Sequence, residues 1–421
     1  MERFVLISAD CHAVGRADDF TPYLDAPYRE AYAASVDRRA EFAAGRAKAS
    51  EDGGLLFSRE TLDEYHGHDE TADEIMGGTT GQWDSDRRVK ELEDDGVVAE
   101  VVFPNGGPFV TGRGATPFAP ELQAAGLRAY NRWLADFCAE ASGRRAGIAQ
   151  LSIDDVDGAV AEIEWSASNG LCGVSVPILF DDATPPLYHE RYAPMWAACA
   201  ATGMPVHVHG GAGPDYGSGI DTLTGIMLYV TEVPMWPRRI LWFLLWNGTL
   251  ERHPDLRLVF TEGTSDWVPA SVSYLDYLYE SKDFAHIRQV LPMKPSEYWR
   301  RQCFVGASSV SRAETDMRYE IGVENMMFGS DYPHVEGTWP RTHDWVRATL
   351  GGIPEHEQRL ILGGNAARLY GFDLTELSPI AQRVGIPVAD LVERTDAPAL
   401  AHTQVDRPGA MFDHIGAGPN P

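Results

Sequence analysis

The run Phe328-Gly329-Ser330-Asp331-Tyr332-Pro333-His334 decides how this chain is read. The apolar residues over 323–328 predict a short buried strand, and Gly329 and Ser330 let the backbone turn where it ends. Asp331 is thereby presented at the strand's C-terminal end, with Pro333 stiffening the loop and His334 close behind. In a parallel barrel that rim is where chemistry is assembled. Three further strands repeat the pattern. Phe4-Val5-Leu6-Ile7-Ser8-Ala9 runs into Asp10-Cys11-His12, and side chains alternate along a strand, so Asp10 and His12 share a face as a two-ligand metal arm. Cys11 points the other way and reads as a packed thiol. Pro205-Val206-His207-Val208-His209-Gly210-Gly211 places His207 and His209 on one face, with His209 nearer the rim. Leu256-Arg257-Leu258-Val259-Phe260-Thr261-Glu262-Gly263 delivers Glu262 just before a glycine.

Working outward, eight short apolar segments follow in order: near 5–9, 98–103, 147–151, 173–177, 206–209, 256–261, 303–307 and 326–329. Stretches with helical periodicity lie between many of them, over 87–95, 122–142, 156–168 and 192–202. Alternating strand and helix signals predict a parallel sheet with covering helices, and eight repeats favour closure into a barrel. The chain carries neither a dinucleotide-binding GxGxxG nor a Walker-type phosphate loop, which weakens the open doubly wound alternatives. Two insertions interrupt the spacing. Residues 13–86 read as a lid, a dimer contact or a surface excursion without a functional role, and 210–237 opens on glycines that allow close backbone approach to a ligand. The expected organisation is one barrel over 1–377 that includes the 13–86 insertion, then a C-terminal extension or arm over 378–421, Pro-, Gly- and Ala-rich from 395 onward.

Composition bounds the partners. A 421-residue chain that is 44% hydrophobic can bury a large core. Its 35 basic and 62 acidic residues give a formal charge of −27, which argues against binding nucleic acid or an anionic membrane surface. An anionic substrate would then need local positive charge, most simply a metal ion. Cys11, Cys138, Cys172, Cys199 and Cys303 are scattered without a CxxC pair, so neither a disulfide framework nor a cysteine metal knot is indicated. No signal segment or membrane-length apolar run is read, and the expected location is cytoplasmic. A homodimer is compatible with the apolar stretch Ile226-Met227-Leu228-Tyr229-Val230, read as core or subunit interface.

The four strand-end runs, with Gly337-Thr338-Trp339-Pro340 and Gly363-Gly364-Asn365-Ala366-Ala367 as secondary marks, resemble the amidohydrolase superfamily over about residues 4–372. The nearest branch includes the aminocarboxymuconate-semialdehyde decarboxylase-like enzymes and many metal-dependent hydrolases. That resemblance implies a distorted (β/α)8 TIM barrel holding one divalent metal. It matches Asp10, His12, His209 and Asp331 to the metal ligands, and makes Asp331 the base toward an attacking water. One departure stands out, because decarboxylases of this branch typically carry a histidine where this chain has Glu262.

Two imidazoles and two carboxylates suit Zn²⁺ first, with Mn²⁺, Fe²⁺ or Co²⁺ as alternatives. Such an ion lowers the pKa of bound water from about 15.7 to about 7. Asp331, Glu262 and His334 are the expected catalytic residues, with Glu262 either a second acid/base or an extra metal ligand. His207, Asn105, Arg87 and Trp83 are candidates to contact a small-molecule or peptide-derived substrate, with Arg88 an alternative to Arg87, and with His207 alternatively packed one layer below His209 or bonded to one of the ligands. His66 and His68 form a second His-x-His without a strand around it and read as a solvated loop. A charged Glu262 beside a substrate carboxylate would cost about 1–4 kcal/mol at ~4 Å. Hydrolysis of an amide, lactone or similar C–N or C–O bond is therefore the first expectation, non-oxidative decarboxylation of an aromatic or enoic acid the second, and a catalytically silent binding barrel the third.

Overall fold

A computed structural model describes residues 2–36, 79–109, 118–178, 184–211, 223–334 and 337–395. The middle of the first insertion with His66 and His68, most of the glycine-rich run after Gly211, and the tail from 396 lie outside the described residues.

Eight parallel strands form one sheet in sequence order: β1 Ile7–Ala13, β2 Ala99–Pro104, β3 Arg145–Gln150, β4 Gly173–Ser175, β5 Val206–His209, β6 Leu258–Thr261, β7 Cys303–Ser308 and β8 Met326–Gly329. Each of the eight apolar segments is one of these strands, and helices cover the outside, so the architecture is a nearly closed (β/α)8 TIM barrel. The boundaries differ in detail. β1 begins three residues later than read and carries Asp10 and His12 within it, while residues 323–325 form a 3₁₀ turn ahead of β8. The seam between β8 and β1 is drawn together by a parallel bridge of Cys11 with Tyr332. There the His12 amide donates to the Tyr332 carbonyl (2.6 Å) and the Asp331 amide to the Asp10 carbonyl (2.9 Å).

The barrel interior is filled from below. Ile7, Ala9, Val101, Ile148, Val259 and Met327 pack with Ala366 and Tyr370 of the helix Asn365–Tyr370. The secondary sequence marks belong to this scaffold. Asn365 donates from Nδ2 to the carbonyls of Val323 and Met326 (both 2.7 Å), which anchors the start of β8. Thr338 donates its amide to the Ser330 carbonyl (2.8 Å), and Trp339 meets Tyr332 edge-on, which backs the loop after β8.

The described start of the first insertion is not a detached lid: Phe20, Leu24 and Tyr32 are buried in the core, Phe20 against Tyr130 and Trp133 of the helix Pro120–Ala139. The helix Leu374–Val384 crosses position 377, where the extension was read to begin, and Ile386 and Leu391 beyond it are buried. Met227 and Leu228, read as core or interface, are exposed on the helix Leu223–Glu232.

Candidate metal centre and active site

Four strand ends converge as the alternation argument requires, but with an added device. By strict period 2, Asp10 and His12 would face with Leu6 and Ser8, opposite Ile7 and Ala9. Ile7 and Ala9 belong to the barrel interior, whereas Leu6 and Cys11 pack in the layer between strands and helices. The β1–β2 register slips by one residue between Ser8 and Cys11, so one extra residue is inserted there and the parity is reset. Asp10 and His12 thus reach the same interior as Ile7 and Ala9.

Backbone strain sits at the same level. Glu262, Ser309 and Asp331, just beyond β6, β7 and β8, are all non-glycine residues in the left-handed region, at φ 50°, 51° and 57°. Each such conformation costs on the order of 1–3 kcal/mol and persists only where the surroundings enforce it, which is commonest at functional sites. Gly210 makes room for one of them. A Cβ there would lie 2.1 Å from the Glu262 carbonyl oxygen, so the glycine after His209 makes room for the neighbouring strand end.

The side chains form one buried cluster. His12 Nε2 lies 3.4 Å from Asp10 Oδ1, 3.2 Å from Asp331 Oδ1 and 3.9 Å from Glu262 Oε2. His209 Nε2 is 3.2 Å from Asp10 Oδ1, and its Nδ1 is 3.1 Å from Glu262 Oε2. Asp10, His12, His209 and Glu262 make one potential ligand group, and His12, Asp331 and His334 a second that shares His12. Both barrel histidines are turned inward by backbone: His12 Nδ1 faces the Pro104 carbonyl and His209 Nδ1 the Gly210 carbonyl, each at 3.1 Å. A carbonyl can only accept, so Nδ1 of each ring carries a proton; His12, lowered from its ordinary value, keeps an Nε2 lone pair toward the centre, whereas His209 Nε2 faces Asp10 Oδ1 and would offer its lone pair once a cation displaces its proton.

Whether a cation belongs there is answered by two atoms. His12 Nε2 and Asp331 Oδ2 are buried with no hydrogen-bond partner among the described residues. A lone pair facing carboxylates without a proton between them is repulsive, and a buried unsatisfied carboxylate oxygen is costly; one divalent ion relieves both. The donor set of hard carboxylate oxygens and imidazole nitrogens suits Zn²⁺ or Mn²⁺.

Electrostatics separate the acids. Burial pushes Glu262 well above the ordinary carboxylate range, His209 pulls it down, and Asp331 and Asp10 push it up. Burial would also raise Asp331, but His334 and His12 beside it hold it well below that range. Burial and His334 lower His12 despite Asp331 and Asp10, in keeping with a neutral ring. For His209 burial is overcome by Asp10 and Glu262, which raise it to about 9.

The remaining candidates divide. His334 Nδ1 is 3.0 Å from Asp331 Oδ1, its ring stacks on His12 at 4.1 Å, and its Nε2 is 3.1 Å from Asn105 Oδ1. Asn105 in turn donates from Nδ2 to Gln82 Oε1 at 2.6 Å, so it holds His334 in place. His207 lies one layer down, fully buried, 3.4 Å from both Thr261 Oγ1 and the Tyr370 hydroxyl. Arg87 pairs with Glu91 (2.8 Å) and donates to Thr80 Oγ1 (2.9 Å), and Trp83 packs half-buried against the outer core. Arg88 is wholly buried: it grips both Glu100 oxygens (2.8 and 2.6 Å) and donates to the His12 carbonyl (2.8 Å). Gln82 and Ser308 escaped the sequence reading. Nothing local marks Gln82, whereas Ser308 ends a recognisable strand and could have been read as a rim hydroxyl.

Comparison with known proteins bears on the family and the fold. A family profile described as Amidohydrolase matches residues 64–372. The chain belongs to the amidohydrolase family. Asp10 and His12 precede the matched span and reach the site through β1. Among solved structures, this family member is similar to the 5-carboxyvanillate decarboxylase LigW from Sphingomonas paucimobilis, at 19% identity and a TM-score of 0.61 over 88% of this chain and 100% of that one. An amidohydrolase from Mycobacterium avium subsp. paratuberculosis K-10 aligns at 20% identity and a TM-score of 0.62, over 87% and 99% of the two chains. A dihydroxybenzoic acid decarboxylase from Polaromonas sp. JS666, solved with manganese and the inhibitor 2-nitroresorcinol, aligns at 17% identity and a TM-score of 0.57, over 90% and 99%. At these identities the likeness is one of fold. Comparison with curated protein sequences finds no match. Among the described residues, no helix is long and apolar enough to cross a membrane.

Proposed function

We propose that this amidohydrolase-family enzyme is a metal-dependent decarboxylase of a small hydroxylated aromatic acid. The observation that carries the reading is the buried rim cluster, in which His12 Nε2 and Asp331 Oδ2 lack hydrogen-bond partners and His12 Nε2 lies 3.9 Å from Glu262 Oε2. Asp10, His12, His209 and Asp331 would hold the ion. When bound it supplies positive charge for a substrate carboxylate and a neighbouring ring oxygen, with Mn²⁺ or Zn²⁺ suited to the donors.

The chain's own residues then divide acid from base, as two carboxyl groups with opposed environments do. Glu262, whose burial favours the neutral carboxyl, would donate a proton to the ring carbon that bears the carboxylate. The bond to that carboxylate breaks, its electron pair restores the ring, and CO₂ departs. His209, 3.1 Å from Glu262, stabilises the carboxylate left behind until solvent returns the proton. Asp331, ionised and oriented by His334, would accept the proton of a ring hydroxyl and return it to the ring oxygen as the product leaves. Phe103, its ring 4.6 Å from that of His209, offers a flat apolar wall.

This reverses the order of the sequence-based expectation, which rested on repulsion between Glu262 and a substrate carboxylate. Burial of Glu262 favours its protonated form, which would relieve that repulsion. The reading is further supported by the two decarboxylases that share the fold, one of them with manganese. Hydrolysis is the second reading, favoured by the same Asp331–Glu262 pair: Asp331 would deprotonate water and Glu262 protonate a leaving group.

The test is CO₂ release from a panel of hydroxybenzoates and carboxyvanillates by protein loaded with Mn²⁺ or Zn²⁺, beside a panel of amides and lactones. Release that falls about 10²–10⁴-fold in Asp331→Asn is expected. Cleavage of an amide or lactone without CO₂ release from any acid would hand the site to hydrolysis.

A further inference from the structure

β7 supplies none of the proposed ligands, yet its last residue touches one. The Ser308 hydroxyl, buried at the end of the strand, donates to Asp10 Oδ2, while Asp10 Oδ1 faces His12 Nε2 and His209 Nε2. The two oxygens of one carboxylate are thereby given different tasks.

The approach is built into the neighbouring strands. Ser308 pairs in register with Gly329 of β8. A Cβ on Gly329 would lie 2.8 Å from Asp10 Cβ and 3.3 Å from Ser308 Cα, so Asp10 crosses the seam only because position 329 has no side chain. The backbone of Asp10 is held as well. Its carbonyl accepts from the Ser8 hydroxyl (2.8 Å) and the Asp331 amide (2.9 Å), and Ser8 Oγ accepts the Ser330 amide (2.9 Å). Ser8, Ser308 and Ser330 are all buried, and none offers a hydroxyl to solvent.

We infer that Ser308 is a positioning residue that fixes Asp10 as a one-oxygen ligand, so that Oδ1 alone is presented to the metal. A hydroxyl on Oδ2 occupies the oxygen that a two-oxygen grip would need and sets the rotation of the carboxylate. Outer-shell hydrogen bonds of this type orient ligands, and their loss commonly costs about 10–100-fold in metal affinity. The inference rests on the metal reading but not on the reaction catalysed.

Equilibrium dialysis of metal-stripped protein against buffered Mn²⁺ and Zn²⁺ tests it without a substrate. Ser308→Ala is expected to bind about 10–100-fold more weakly, and Ser308→Thr, which keeps the hydroxyl, to stay close to the native chain. Ser308→Cys, a similar shape with a weak donor, should fall between them and keeps the series informative should the alanine variant fold poorly. Equal affinity of the serine and alanine proteins, or a threonine variant as weak as alanine, overturns the role. A native chain that binds neither ion overturns both this inference and the metal reading. A native chain that binds metal but releases no CO₂ sinks the proposed reaction alone, and the order of the dialysis series still decides the serine.

Discussion

His209 and His207 lie on the same strand and the same face, one layer of the barrel apart, and their surroundings push them in opposite directions. Around His209 stand Asp10 and Glu262, which overcome burial and raise it to about 9. Around His207 stand Thr261, Phe103 and Tyr370, and burial with the nearby His209 lowers it to about 3. Two residues of chain separate a ring that can serve a cation from one that packs as a neutral polar plug. The lesson is that the rim layer and the layer beneath it differ in their neighbours, not in residue type. Strand alternation places both rings inside; only the converging ends of β1, β6 and β8 make one of them chemical.

The comparison can be broken most forcefully through the ligands. His209→Ala should abolish stoichiometric binding of Mn²⁺ or Zn²⁺, whereas His207→Phe should retain it, with elemental analysis of dialysed protein as the readout. Loss of metal in both would mean the two layers are one site. A second large effect concerns the support under the arm. Arg88→Met leaves Glu100 buried beside Arg145 alone and removes the donor to the His12 carbonyl, so a loss of about 3–5 kcal/mol of stability is expected from denaturant melts. A loss below 1 kcal/mol would show the pair to be dispensable.

The smallest effect is on pH dependence and concerns the metal-free protein. His207 has a folded pKa near 3, below its unfolded value of about 6.5, so between those values the unfolded chain binds more protons. Stability should fall on acidification through that window, and His207→Phe should flatten the slope. For His209 the sign reverses, because its folded pKa of about 9 exceeds the unfolded value. Its contribution is full below about 6.5 and is lost as pH rises through about 9. A melting series in which the two variants change the same limb of the profile would remove the electrostatic contrast.

Much of the barrel was legible because each strand is a short apolar run closed by a glycine or turn, and eight of them recur at α/β spacing. The rim residues Asp10, His12, His209, Glu262 and Asp331 were legible for the same reason: they sit where those runs end. Arg87 and Trp83 are candidates for substrate contact by sequence, and the fold gives them other partners, Glu91 and Thr80 for the arginine and the outer core for the tryptophan. Asn105 was marked only as following β2; that it spans from Gln82 to His334 depends on a turn whose direction no local pattern encodes.

The parallel barrel, the net acidic charge and the set of imidazoles and carboxylates at the strand ends were set by sequence, since these follow from composition, period and turn chemistry. Tertiary structure alone decided the slip in β1 that turns Asp10 and His12 inward, and the protonation preferences that set Glu262 against Asp331. It also decided the pairing of Ser308 with Asp10. These depend on distances between residues hundreds of positions apart and on exclusion of water from the space between them, and neither quantity exists until the barrel has closed.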